Sequence, residues 1–290
     1  MTTTEPRETK SAVNSDAKAG APLGPGSLTW KYHGDRRGLL FMWRTGTLQN
    51  MHPAVNSALQ QKSNFFDNPW DRLFRSIPPI LGVVYDDQPD DTGAQVRDFH
   101  REIKGDDDGH GRRWSALNPD TFWWTHVTFV ETIIAINEFF GTPLTDEEKD
   151  QLVKEGVTWW RRYGLSERPV IDNWADFEAY FNHMLDHELE HNATTRWAVS
   201  ADEQAIPAPP GIPGPVWKVL ERPTSRFNRW LGAGLMPPKA REILGLEWRT
   251  RDQVALRVMG EVVRRTWPLL PARVRLNPRA YDAIKRAEAA

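Results

Sequence analysis

Residues 118–141 decide the fold, and they read NPDTFWWTHVTFVETIIAINEFFG. Asn118 is a common helix-capping residue, and Pro119 suits the first turn of a helix. Apolar residues then recur at the helical period until Gly141 ends the pattern. His126 falls at the centre of this apolar face. The stretch therefore predicts a long buried helix that carries a histidine on its inner side.

A second helix is predicted upstream, where residues 67–69 (Asp-Asn-Pro) supply a cap and an early proline. Arg72 and Ser76 follow four residues apart, so they share one face of that helix. Ile77 and then Pro78-Pro79 follow Ser76. Because proline lacks the N–H of the helical ladder, we expect the helix to break there.

Between these two helices, Thr92 with Gln95 forms a capping-box pattern that predicts a third helix. This helix continues through His100 and ends at Gly105, with His100 beside its apolar stripe. Residues 105–113 contain three Asp, three Gly and two Arg, which is typical of a polar loop. The three predicted helices together hold two of the eight histidines, His100 and His126.

Composition excludes several kinds of site. The 290 residues include 14 Trp and 12 Phe, enough for a large core, and the net charge of -2 gives no reason to expect nucleic acid or an acidic membrane as a partner. The chain has no cysteine, so disulfides, iron–sulfur clusters and thiolate-ligated haem are excluded. A haem iron would need a histidine ligand.

We predict one all-α domain over residues 27–290, preceded by a disordered tail over 1–26 that lacks the apolar core of a secretory signal. No run is long and apolar enough to span a bilayer, so we expect a cytoplasmic protein without a membrane span. Residues 205–223 are rich in proline and predict an extended surface connection. Helical patterning then resumes to the C-terminus.

A second candidate site lies on a helix predicted to begin at Asn173, where His183, His187 and His191 recur every four residues. A single straight helix cannot place all three around one ion, and no second Glu-x-x-His helix complements Glu188 and His191. A partly solvated histidine flank is the simpler interpretation of this pattern.

Several motifs together resemble one family. They are the Arg-Leu-x-x-Ser helix at Arg72, the histidine one helix later, Trp-x-Ala-Leu-x-Pro at residues 114–119, and Trp-x-His at residues 124–126. Further matches are Leu-Met-Pro-Pro-Lys-Ala-Arg-Glu at residues 235–242 and Asn-Pro-Arg-Ala at residues 277–280. The chain resembles the MpaB and rubber oxygenase (latex clearing protein) family over most of its length.

The resemblance implies an all-α fold with a globin-like core that binds haem b and uses dioxygen on unactivated carbon skeletons. By motif order, it implies His100 as the proximal iron ligand and Arg72 and Ser76 as haem-pocket residues. His126 is the second histidine, either lining the pocket or ligating iron in its place. Arg75, with Arg72, Arg97 and Arg101, could pair with the haem propionates.

The chain departs from the rubber enzymes at two points. They carry a lysine able to cap the iron where this chain has Arg75, which stays protonated and cannot do the same. They also carry an acid–base glutamate in an upstream helix, whereas the corresponding residues 52–58 contain no carboxylate. Both departures speak against a rubber-like cleavage of polyisoprenes.

Three hypotheses stand on the sequence. The first is a haem b oxygenase acting with dioxygen on an apolar, lipid- or isoprenoid-like substrate. The second is a non-haem metal enzyme that uses the His183, His187 and His191 helix. The third is a non-catalytic helical binding protein that keeps the scaffold without the cofactor.

Overall fold

The computed structural model describes residues 23–200 and 206–289. Within them the chain folds into helices and one hairpin with two residues in each strand, so the all-α prediction is confirmed. The first helices are α1 (Leu28–Tyr32), a 3₁₀ helix (Arg36–Phe41), α2 (Met42–Asn50), α3 (Pro53–Lys62), α4 (Pro69–Tyr85) and α5 (Pro89–Asp98). The hairpin strands β1 (Lys104–Gly105) and β2 (Trp114–Ser115) pair antiparallel. Then come α6 (Pro119–Phe140), α7 (Asp146–Arg161), α8 (Trp174–His183), a π turn (Met184–Glu188), α9 (Ala193–Val199), α10 (Gly214–Leu235), α11 (Pro238–Ile243), α12 (Thr250–Thr266), a 3₁₀ turn (Trp267–Leu269), α13 (Ala272–Arg275) and α14 (Pro278–Ala289).

Helix α6 is the centre of the molecule and has the predicted bounds. The Asn118 side chain accepts a hydrogen bond from the Asp120 N–H at 2.9 Å, which caps its first turn. The helix packs against α2, α7, α12 and the first 3₁₀ helix, so most of its residues are buried. This enclosure explains why α6 is apolar on nearly all sides.

Helix α4 does not break at its prolines, so that prediction is wrong. It continues through Pro78 and Pro79 to Tyr85, because its last turns bury Val84 and Tyr85 in the core. The Pro78 carbonyl also accepts a hydrogen bond from Arg279 at 2.8 Å, which ties this segment to α14. Tertiary packing here outweighs the loss of helical N–H groups at the two prolines.

Helix α5 differs from its prediction at both ends. It begins at Pro89, with Asp90 and Asp91 in a first turn that favours negative charge, and not at Thr92. It ends at Asp98, and the chain then turns, with the Ile103 N–H bonded to the His100 carbonyl at 3.1 Å. His100 therefore lies in a turn after the helix and not on it.

The helix predicted to carry three evenly spaced histidines is interrupted. After α8 the backbone widens into the π turn and leaves helical geometry at Leu189. The Glu190 N–H bonds to the Met51 carbonyl at 3.0 Å, which holds the following loop against α2. His191 lies in that loop, so it does not continue the row of His183 and His187.

The proline-rich segment is shorter than predicted. An extended connection covers residues 206–213, but α10 begins at Gly214, accepts Pro215 in its first turn, and runs through Pro223. The helix persists because its second half buries Leu231 and Leu235 against α6 and the first 3₁₀ helix. Residue 205 lies outside the described chain.

The described structure begins before the predicted domain boundary at residue 27. Residues 1–22 lie outside the described part, but Leu23 is buried in the main core, so ordered structure begins before residue 27. At the other end, Ala280 and Ala283 of α14 join the same core. Among the described helices, none has both the length and the apolar character needed to cross a bilayer.

Candidate active site

His100 is held in one orientation by the end of α5. Its Nδ1 lies 2.8 Å from the Val96 carbonyl oxygen, and because a carbonyl only accepts, Nδ1 must carry the proton. Nε2 then keeps its lone pair. Burial lowers the pKa of His100, the bond to Val96 opposes this, and the charge of Arg72 lowers the pKa further. The imidazole is therefore neutral near pH 7, with one nitrogen available as a ligand.

Arg72 and Ser76 share one face of α4, as predicted, and they are hydrogen-bonded to each other. Arg72 Nη1 donates to Ser76 Oγ, while Ser76 Oγ donates to the Arg72 carbonyl at 2.8 Å. The Ser76 hydroxyl proton is thus donated to a backbone carbonyl of α4, and the Ser76 oxygen orients the Arg72 guanidinium. Burial, and then the charge of Arg75, lowers the pKa of Arg72, yet arginine remains charged in proteins.

The other arginines expected near the site face acids on the surface. Arg75 pairs with Asp71 at 2.8 Å and is mostly exposed. Arg97 and Arg101 both pair with Asp98 at 2.9 Å. The charge of Arg72 acts on His100, whereas Arg75, Arg97 and Arg101 are engaged in ion pairs with acids on α4 and α5.

A layer of aromatic rings lies between His100 and His126. Phe122 contacts His100 edge-on, with ring centroids 5.3 Å apart. Behind it, Trp160 and Tyr163 lie 5.8 and 5.1 Å from Phe122, and both contact the His126 ring. The two histidines of the predicted site are therefore on opposite sides of one layer of rings contributed by α6, α7 and the turn that follows α7.

His126 is fully buried, and one of its nitrogens has no partner. Nε2 lies 2.9 Å from the Gly156 carbonyl, so it carries the proton, whereas Nδ1 is buried without a hydrogen bond from any described residue. The indole N–H groups of Trp123, Trp159 and Trp160 are likewise buried and unpaired in the described structure. Burial lowers the pKa of His126 to about 4, although the bond to Gly156 opposes the shift.

His33 belongs to the same interior region, which the sequence did not indicate. His33 is the C-cap residue of α1, its ring centroid lies 4.5 Å from that of Trp159, and its Nε2 is buried without a partner among the described residues. Burial, and then the charge of His126, lowers its pKa to about 3. Short helices such as α1 give too little periodicity to reveal this placement.

The rival histidines do not form a metal centre. His183 and His187 lie side by side with ring centroids 4.7 Å apart, and both are exposed. His191 bonds to the Thr195 hydroxyl at 3.0 Å. Within the described residues, no group of three or more His, Asp or Glu side chains is arranged to hold a metal ion.

The chain was compared with known proteins. A family model described as "ER-bound oxygenase mpaB/B'/Rubber oxygenase, catalytic domain" matches residues 30–265. No curated protein and no solved structure matches the chain. The matched region spans most of the sequence and includes Arg72, His100 and His126. The chain therefore belongs to the mpaB/rubber oxygenase family and carries an oxygenase catalytic domain.

Proposed function

We propose that this protein is a haem b-dependent oxygenase that acts with dioxygen on an apolar, lipid- or isoprenoid-like substrate. The observation that carries the proposal is the state of His100, whose Nδ1–H is bonded to the Val96 carbonyl. Haem-binding histidines use a neutral imidazole whose second nitrogen is fixed by such a bond. The family match supports the oxygenase class.

The residues around His100 fit the cofactor in two respects. Nε2 has no hydrogen bond to any described residue, so it could hold the haem iron. Phe122 packs edge-on to the ring, which provides an aromatic contact of the kind that a flat macrocycle or an apolar substrate requires. The absence of cysteine excludes a thiolate ligand, which is consistent with a histidine ligand.

When bound, haem b supplies the iron that binds dioxygen. The protein's own contribution is positional and electrostatic. Arg72 carries a positive charge that acts on His100, and its guanidinium can donate to an oxygen that carries negative charge. Ser76 acts through Arg72, since its oxygen accepts from Nη1 while its proton is bonded to the backbone. Ser76 is therefore a positioning residue.

An absorption spectrum tests the cofactor. Protein from a haem-supplemented host should show a Soret band, and apo protein should take up hemin in a titration. His100→Ala should lose haem or hold it loosely, because the axial nitrogen is gone. His110→Ala is the matched control, since His110 is exposed and paired only with Glu190. Wild-type protein that takes up no hemin would end the proposal.

Variants of the surrounding residues should behave differently from variants of the residue that ligates the iron. Arg72→Ala should keep haem but lose about 10²- to 10³-fold in oxygen-dependent turnover, the usual cost of removing one positioned donor. Ser76→Ala should also keep haem and should lose less turnover, because it removes only the acceptor that orients Arg72. Ser76→Thr should restore the loss, because it keeps the hydroxyl. His126→Ala should keep haem. A His126→Ala protein without haem, beside a His100→Ala protein with it, would move the axial ligand to His126.

A further inference from the structure

Charge is unevenly distributed along this chain. Residues 214–290 contain 16 Lys and Arg against 7 Asp and Glu, although the whole protein has a net charge of -2. The N-terminal part must therefore be strongly acidic. The near-neutral total conceals a basic C-terminal region built from α10 to α14.

The same region exposes apolar side chains in a regular pattern. Val254, Val258 and Val262 recur every four residues on α12, and each has more than half of its surface exposed. The opposite side of α12 is buried at Leu256 and Gly260, against α6 and α10. The valines therefore form an outward stripe that makes no contribution to the core.

Three more apolar side chains are exposed on the segments that directly follow α12 in the chain. Leu269 is 81% exposed, and Leu270 and Val274 are also exposed, on the 3₁₀ turn and α13 that follow. We call the six side chains from Val254 to Val274 the apolar ridge: Val254, Val258, Val262, Leu269, Leu270 and Val274. A run of this kind is unusual on a protein surface that faces only water.

Positive charge borders the ridge. Arg251 and Arg265 lie on the same side of α12 as the valines, near its two ends, and Arg273 is exposed on α13. Glu261 pairs with both Arg264 and Arg265, so one carboxylate faces two guanidinium groups and this turn keeps a net positive charge.

We propose that the apolar ridge docks on the surface of an anionic lipid bilayer. Apolar side chains enter the headgroup boundary while flanking arginines meet the lipid phosphates, as in other helices that lie in the interface. A second copy of the chain fits less well, because a symmetric contact would place these arginines against each other. The proposal does not depend on haem.

Vesicle flotation tests it with the full chain. The protein should float with vesicles of phosphatidylcholine that contain about a quarter phosphatidylglycerol, and much less with phosphatidylcholine alone. High salt should release it, because exposed charges are screened. Binding that is equal on both vesicles and insensitive to salt, or no binding to either, would overturn the proposal.

Matched variants locate the surface. Val258→Ser with Leu269→Ser should weaken binding about tenfold or more, since two exposed apolar groups are lost. Arg251→Glu with Arg273→Glu should weaken it about fivefold for each unit of charge. The controls are Leu39→Ser, 57% exposed on the first 3₁₀ helix, and Arg113→Glu in the polar loop, whose side chain is 88% exposed. Equal effects in controls and ridge variants contradict the assignment.

Size-exclusion chromatography of the same variants tests whether a second copy of the chain binds the apolar ridge instead of a bilayer. We expect the elution volume of wild-type protein to be unchanged by the Val258→Ser and Leu269→Ser pair. A dimer that this pair dissociates would show that the ridge is an interface between two copies, and the membrane proposal would fail.

Discussion

At the level of single residues, the interior histidines connect burial to acid sensitivity. His126 binds one proton fewer in the folded state than in the unfolded chain between its ordinary pKa of 6.5 and its buried value of about 4. A lowered pKa of this kind contributes stability that is fully present above pH 6.5 and is lost as the pH falls toward 4.

Acid should therefore weaken the fold before most carboxylates titrate. Between about pH 7 and pH 4, His126 alone should remove up to about 3 kcal/mol from the free energy of unfolding. Urea denaturation of wild-type protein and of His126→Gln at several pH values measures this, and the gap between them should narrow in acid. His110→Gln is the exposed control. A gap that stays constant across this range contradicts the assigned protonation.

At the level of elements, the junction of α4 and α14 shows how a helix keeps its shape through two prolines. Arg279 on α14 binds both oxygens of Asp86 at 2.6 and 2.5 Å, and it also donates to the Pro78 carbonyl. Although burial opposes it, hydrogen bonds from Arg279 and Thr92 hold the pKa of Asp86 below its usual range. One side chain thus fixes both the proline segment and the helix end.

Arg279→Ala should lower the free energy of unfolding by about 1–3 kcal/mol, because a two-point, partly buried ion pair and a backbone hydrogen bond are lost together. Arg286→Ala is a close control on the same helix. Its pair with Asp87 is 52% and 82% exposed, so its loss should change stability by less than about 0.5 kcal/mol. Equal losses in urea denaturation would show that Arg279 is an ordinary surface residue.

Elements were predictable where local chemistry and tertiary packing agree. Asn118 caps α6 as the sequence indicates, and α6 has its predicted bounds. Proline was misleading in α4 and α10, because burial of the later turns decides whether a helix continues. His100 was placed on a helix because its spacing from Val96 is helical, whereas the chain turns after Asp98.

At the level of the whole molecule, one buried ion pair joins three helices. Arg44 on α2 is 2% exposed and binds both oxygens of Glu131 on α6, at 2.6 and 2.5 Å. Its Nε also donates to the Leu235 carbonyl at the end of α10, at 2.7 Å. The pair therefore fixes how the N-terminal, central and C-terminal segments fit together.

Glu131→Gln should cost about 3 kcal/mol or more, because it leaves a buried guanidinium without its counter-charge. The double variant Arg44→Met with Glu131→Leu should recover much of that loss, since apolar residues of similar size need no partner. Urea denaturation of the three proteins checks this. A single variant as stable as wild type would mean that water reaches Arg44.

The candidate site was predictable only in part. The family motifs indicate Arg72, Ser76 and His100, and the hydrogen bond between Arg72 and Ser76 agrees with the prediction that they share one helix face. The ion pairs of Arg75 and Arg101, the placement of His33 beside Trp159, and the apolar ridge depend on contacts between distant segments or on surface exposure. Net charge could not reveal the ridge, because the acidic and basic parts of the chain cancel.

The layer of rings between His100 and His126 has an optical consequence. Trp123, Trp159 and Trp160 are buried there, and Trp160 is separated from His100 by a single phenylalanine. Indole fluorescence is transferred efficiently to a strongly absorbing chromophore held so near. If a chromophore occupies the position beside His100, the emission of these tryptophans dims in proportion to its occupancy, and the protein reports its own loading without any added label.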